Sequence, residues 1–225
     1  MTFKGILLDL DNTLYPYDVA HRAGLEAAFT LLSDVPREDL AEAYRAARKR
    51  VNLTLSETAS SHNRLLYFQG MCEALGLCSM RNPLKLYEAY WSTFLDYMRP
   101  DDGALEFLAG LSELKVCLVT DLTAHIQHRK IEKLGLERYL HHLVTSEEAG
   151  REKPHASMFR LALHKLGMSP QDVCMIGDNY DKDVLGALAL GIVPFWFNRE
   201  GEERALHAGV REVRSFSQLR EQLHA

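Results

Sequence analysis

The chain has 225 residues, 47% hydrophobic and 25% charged, so it can bury a sizeable core as one domain with a large insertion or as two small domains. Its 26 Lys and Arg against 31 Asp and Glu leave a net charge of −5, which excludes a broad basic field for a nucleic acid polymer. No apolar run approaches the ~18 residues of a membrane span, and the chain opens on a strand-like run without a charged leader, so a cytoplasmic protein with no membrane partner is expected.

The first apolar run, Phe3–Leu8, ends in Asp9-Leu10-Asp11-Asn12-Thr13. Side chains two apart on a strand point the same way, so an extended chain here would aim both carboxylates at one spot. Such neighbours need a cation, a shared proton or solvent to relieve their repulsion. Residues 17–99 then show little strand character. Helical patterns run over Val19–Leu32, Arg37–Asn52, Ser61–Gly76 and Pro83–Met98, with Ser33-Asp34 and Ser60-Ser61 as possible caps and Gly76 and Asn82 as breaks. Four helices of this size make a small bundle.

From Asp101 the rhythm alternates between helix and strand, which is the signature of an α/β protein. Helices are expected at Ala104–Leu114, His125–Leu134, His155–Leu166, Lys182–Leu190 and Ser215–His224. Strands are expected at Val116–Thr120, His142–Thr145, Val173–Gly177 and Ile192–Phe197, and Gly135, Gly167 and Gly191 fall just past helix ends. The expected domains are therefore 1–16 with 100–225 as an α/β core, a Rossmann-like parallel sheet, and 17–99 as an inserted helical bundle.

Three later features share the character of the Asp9–Asp11 pair. Val116–Val119 leads into Thr120-Asp121, Lys153-Pro154 precedes an amphipathic segment, and Val173–Ile176 leads into Gly177-Asp178 with Asp181 and Asp183 behind. In a parallel sheet the strand ends share one edge, where ligands bind. The four cysteines (Cys72, Cys78, Cys117, Cys174) lack zinc-ribbon spacing and read as small packing groups in a reducing compartment. His125, His128 and the His141-His142 pair read as surface or packing residues, and Phe195-Trp196-Phe197 as buried strand.

Asp9-Leu10-Asp11-Asn12-Thr13, Thr120, Lys153-Pro154 and Gly177-Asp178 with Asp183 resemble the four signature motifs of the haloacid dehalogenase-like hydrolase superfamily. The match runs from Gly5 to about Trp196. The resemblance implies that the helical insertion is a C1-type cap hinged near 15–18 and 99–103, which would close over the site and exclude water. It implies Asp9 as nucleophile, forming an aspartyl-phosphate, and Asp11 as the acid that protonates the leaving alkoxide and then deprotonates water. Dehalogenating members lack an aspartate at the Asp11 position, so the expected reaction is phosphoryl transfer.

The resemblance further implies a Mg²⁺ ion held by Asp9, Asp178 and the Asp11 backbone carbonyl, with Asp183 orienting metal waters or Lys153. Asp181 competes with Asp183 for that role. Thr120 would donate to a phosphoryl oxygen and Lys153 would offset the charge of nucleophile and phosphate. Asn12, Thr13, Asp121 and, from the cap, Arg64 are the candidate substrate contacts. An extra charge at Asp121 is unfavourable unless it points away or meets a cation. The expected substrate is a small phosphorylated metabolite: a sugar phosphate, phosphoglycolate or a nucleotide 5′-monophosphate. Leu14-Tyr15 and Asn63–Phe68 lean towards pyrimidine 5′-nucleotidase-like members. A phosphomutase, a 2-haloacid dehalogenase and a non-catalytic binding protein are the alternatives, and a monomer or homodimer is expected.

Overall fold

Gly5–Leu8, the strand β1, is buried at every position, as a strand covered on both faces must be. A computed structural model describes residues 3–224 and divides the chain into two compact units, Met1–Pro16 with Arg99–Ala225 and Tyr17–Met98.

In the first unit, β1 is joined by β2 (Lys115–Thr120), β3 (His142–Thr145), β4 (Val173–Gly177), β5 (Val193–Phe197) and β6 (Arg211–Val213). All pair in parallel, in the order β3-β2-β1-β4-β5-β6. The order reverses at β1, so a crevice opens beyond the carboxyl ends of β1 and β4. Leu8 lies level with Leu118 of β2 and Ile176 of β4, which brings the residues after all three strands to one level.

On one face, Leu7, Cys117, Val119 and Met175 pack with Met158, Phe159, Ala162 and Leu166 of a helix over Ala156–Leu166. Beside β5, Trp196 packs with Tyr180 and Val184. Cys117 and Cys174 are buried in strands and Cys72 in a helix, while Cys78 is exposed. Among the described residues no helix is long and apolar enough to cross a membrane.

The second unit holds α1 (Tyr17–Thr30), α2 (Arg37–Thr54), α3 (Arg64–Ala74) and α4 (Asn82–Tyr97), with a 3₁₀ turn at Ala59–His62. Its core is aromatic: Phe29, Tyr44, Tyr67, Phe68, Tyr90, Trp91 and Phe94 are all buried. α1 packs on α4 at Gly24, where an added Cβ would lie 2.8 Å from the Tyr90 carbonyl oxygen, so only glycine permits the approach. Arg64 opens α3 and is buried, donating to the His62 carbonyl at 2.5 Å and to the Tyr17 hydroxyl, over the faces of Tyr67 and Trp91.

Several boundaries differ from expectation. α2 starts after Pro36, without a side-chain cap from Ser33 or Asp34, and α3 is capped by Asn63, whose side chain accepts from the Leu65 N–H, rather than by Ser60 or Ser61. The expected Ala104–Leu114 helix, α5, stops at Ala109 because Gly110 ends it. After α6 (Ala124–Leu134), the turn α7 (Ser146–Ala149) and β6 escape periodicity because each is too short to show any. Beyond α8, the Ala156–Leu166 helix, the expected Lys182–Leu190 helix begins earlier, as a π turn at Tyr180–Val184 followed by α9 (Leu185–Leu188). The last element, α10, spans Phe216–His224.

His21 of α1 has its ring Nδ1 2.7 Å from the Tyr90 hydroxyl and stacks on Tyr17. Burial, with the charges of Arg64 and Arg48, lowers its pKa to about 4. A group whose pKa falls on folding stabilises the fold fully above its unfolded value, and that stability is lost as pH falls through the folded one. We therefore expect unfolding free energy to drop from pH 6.5 towards pH 4. In His21→Asn, urea titrations across that range should give a pH slope shallower by up to about 1.4 kcal/mol per pH unit.

Candidate functional site

β1 ends at Leu8, so Asp9 and Asp11 lie on the turn beyond it and the two carboxylates part company. The expectation that both aim at one spot is corrected: each carboxylate meets its own lysine. The Lys153 ammonium lies 2.5 Å from Asp9 Oδ1 and 2.7 Å from Asp183 Oδ1, and only 4% of Lys153 is exposed. The Lys130 ammonium lies 2.7 and 2.9 Å from the two Asp11 oxygens.

The Asn12-Thr13 turn needs a left-handed residue, and Asn12 supplies it at φ 62°. Thr13 thereby turns inward. Its hydroxyl donates to Asp9 Oδ2 at 2.9 Å and accepts from the Asp178 N–H at 3.1 Å, tying the end of β1 to the end of β4. The Asn12 side is exposed, and its carbonyl accepts from Arg199 at 3.3 Å.

After β4, Gly177 lets Asp183 fold back against the strand: an added Cβ would lie 2.3 Å from Asp183 Oδ2. Asp183 accepts there from the Asn179 N–H at 3.0 Å while its other oxygen holds Lys153. Asp181, by contrast, is exposed and pairs with Arg204. Trp196 Nε1 donates to the Asp178 carbonyl at 2.8 Å, fixing the loop from the β5 side.

Thr120 ends β2, 1% exposed, and its hydroxyl oxygen accepts from Gln127 Nε2 of α6 at 2.6 Å. The chain leaves β2 through Leu122 at φ 98°, held by hydrogen bonds with the Ser146 hydroxyl, a conformation that costs of order 1–3 kcal/mol in a non-glycine residue. Asp121 does meet a cation. One oxygen accepts from the Lys153 N–H at 3.0 Å and the other from Lys182 at 2.8 Å, with Glu152 sharing Lys182 at 3.2 Å. One oxygen thus holds the Lys153 backbone and the other the Lys182 ammonium. Arg64 belongs to the helical unit, in the setting described above.

Lys130, Lys182 and Gln127 escaped the motif reading. For Gln127 and Lys130 the signal was a polar residue at a buried helix position, since both share the face of Ile126, Ile131 and Leu134 on α6.

Asp9, Asp178 and Asp183 present oxygens that all lie within 4.8 Å of one another. Burial raises the pKa of all three, and mutual repulsion adds to it at Asp9, from Asp183 and Asp178, and at Asp178, from Asp183; Asp178 is pushed up to about 7. Burial pulls the Lys153 ammonium down, but Asp183, Asp9 and Asp121 more than offset this and hold its pKa well above the ordinary value. One ammonium thus faces two buried carboxylates and the half-buried Asp178. The Asp178 carboxylate receives a long contact, 3.4 Å, from the Thr13 hydroxyl. An all-oxygen set with surplus negative charge fits a hard divalent cation.

Gly177→Ala should therefore displace Asp183 and, with it, Lys153. Replacing Asp183 by Asn leaves the backbone intact but removes the charge that holds Lys153. Both variants are expected to lower phosphate release by at least about tenfold while staying folded, measured beside a thermal melt.

A profile of the haloacid dehalogenase-like hydrolases matches residues 3–191. The chain is 39% identical, over 92% of its length and 89% of the relative's, to a ribulose-1,5-bisphosphate 5-phosphatase of Halopiger xanaduensis. It is 32% identical, over 84% of its length and 82% of the relative's, to a glyceraldehyde 3-phosphate phosphatase of Methanopyrus kandleri. The structure of the HAD hydrolase YfnB from Bacillus subtilis, bound to magnesium, superposes with a TM-score of 0.78 at 18% identity, covering all of both chains. With the profile spanning most of its length and these relatives beside it, the chain belongs to the haloacid dehalogenase-like hydrolases.

Proposed function

We propose that the protein is a Mg²⁺-dependent phosphatase that hydrolyses a small phosphomonoester through an aspartyl-phosphate on Asp9. The observation that carries this reading is the buried Asp9–Lys153–Asp183 contact at the end of β1 and β4. It places a nucleophile beside a fixed positive charge, where a phosphate dianion can approach a carboxylate.

In the first step an Asp9 oxygen bonds to phosphorus, the P–O ester bond breaks, and Asp11 gives its proton to the departing alkoxide. In the second, a water oxygen bonds to phosphorus, the bond to Asp9 breaks, and the water's proton goes to Asp11. Lys153 offsets charge on the transferring group throughout. Gln127 donates to the Thr120 oxygen, and the Thr120 proton, which makes a long 3.4 Å contact with the Asp121 carbonyl, can turn to serve a phosphoryl oxygen. Asp9, Asp178 and the Asp11 backbone carbonyl would hold Mg²⁺, with Asp183 supporting Lys153 beside them. The ion supplies charge neutralisation and orients the phosphate oxygens. We read the helical unit as the cap, and Arg64 as its candidate contact with the rest of the substrate.

The relatives named above act on a sugar bisphosphate and a triose phosphate, so we favour a phosphorylated small carbohydrate over a pyrimidine nucleotide. Tyr15, part of the nucleotide-leaning pattern, has a different employment here, since its hydroxyl donates to Asp11.

A phosphate-release screen over ribulose 1,5-bisphosphate, glyceraldehyde 3-phosphate, sugar monophosphates and UMP, with Mg²⁺ or with EDTA, tests the reading. Release is expected to require Mg²⁺ and to fall by about 10³-fold or more in Asp9→Asn. An isomer formed only with an activating bisphosphate would mark a phosphomutase, and halide from a 2-haloacid a dehalogenase. Unchanged release in Asp9→Asn sinks the nucleophile.

A further inference from the structure

Lys130 is an ammonium with 0% exposure, set on the buried face of α6 beside Ile126, Gln127, Ile131 and Leu134, and the two-step chemistry above gives it no task. A buried ammonium costs several kcal/mol unless a partner compensates it, and α6 delivers this one to Asp11. Its Nζ contacts both Asp11 oxygens, at 2.7 and 2.9 Å, from 119 residues away in sequence. From the other side Tyr15 donates its hydroxyl to Asp11 Oδ1, and the backbones of Asp11 and Tyr15 form an isolated bridge. Tyr15 is itself fully buried, and the ammonium lies 5.8 Å from the centre of its ring. The Asp11 side chain would otherwise be the loosest group of the site, since it lies past the strand end and is 32% exposed.

We infer that Lys130, assisted by Tyr15, is a positioning residue: it holds the Asp11 carboxylate in the orientation that receives the proton of the attacking water. The inference rests on the phosphatase reading and extends it to the second step. Proton transfer needs heavy atoms within about 2.6–3.2 Å, and a misplacement near 1 Å can cost about 10²-fold. A carboxylate gripped at both oxygens cannot swing out of that range. Without the grip, the step that breaks the Asp9–phosphorus bond slows, while formation of that bond is spared where the leaving group needs no proton.

Rapid mixing with p-nitrophenyl phosphate and Mg²⁺ separates the two steps, because the leaving p-nitrophenolate needs no proton. In Lys130→Met, about one equivalent of p-nitrophenolate per site should appear in a burst, followed by turnover roughly a hundredfold slower than the parent's. Tyr15→Phe, which removes one hydroxyl at constant shape, should give the same pattern with a slowing of about tenfold. If burst and steady rate fall together, Lys130 is structural and the inference is overturned. Steady turnover within about threefold of the parent in a folded Lys130→Met also overturns it. Should Lys130→Met fail to fold, Tyr15→Phe decides alone, a burst with slowed turnover supporting and unchanged turnover overturning. A parent that releases no phosphate fails earlier, at the function itself, and takes the inference with it; an active parent with unaltered variants fails only here.

Discussion

The Lys153 ammonium, buried between Asp9 and Asp183, is the contact on which the rest of the site depends. A lone carboxylate at the Asp9 position, 5% exposed, would lose its charge to desolvation or draw in water. Lys153 opposes that loss, while burial and the neighbouring Asp183 and Asp178 still hold the Asp9 pKa above its ordinary value. Lys153 in turn stands only because Asp183 takes a share of it, because Gly177 leaves room for Asp183, and because Asp121 accepts from the Lys153 backbone. Removing one partner of such a buried pair typically costs about 3–5 kcal/mol, far more than the net worth of the intact pair. The arrangement is therefore a device for holding charge in place more than a source of stability.

The same economy repeats along the carboxyl edge of the sheet. Asp11 meets Lys130 and Asp121 meets Lys182, each carboxylate on a turn after a strand, each ammonium from a different helix, π turn or loop. Parallel strands make this possible, since β1, β2 and β4 end at one level while the segments that follow them bring lysines from above. Among the ion pairs of the described residues, Asp178 is the acid of this edge left without a lysine, which is where surplus negative charge collects.

Much of this was readable in the chain. β3 and β4 lie where apolar run and turn residue placed them, because buried parallel strands are short, continuous and sharply ended. Asp9, Asp178, Asp183 and Lys153 meet because each follows a strand or begins a loop at that edge. What escaped was of two kinds. The short elements α7 and β6 hold too few residues to carry a period. Lys130, Lys182 and Gln127 lie within or beside helices, where a charged or amide side chain reads as a solvated face until the packing shows which way it turns. The divergence of Asp9 and Asp11 escaped for a related reason: a period of two holds only while the strand lasts, and β1 ends one residue too soon.

The indole of Trp196 donates to the carbonyl of Asp178, and the chain's other tryptophan, Trp91, is in the helical unit. Each unit thus carries one indole fluorophore, and the one in the sheet is wired by a single hydrogen bond to the acid richest in unspent charge. Emission from Trp196 is an optical window on that loop, open to titration with cations or phosphate analogues without a label, and a Trp91→Phe background would leave it as the sole emitter.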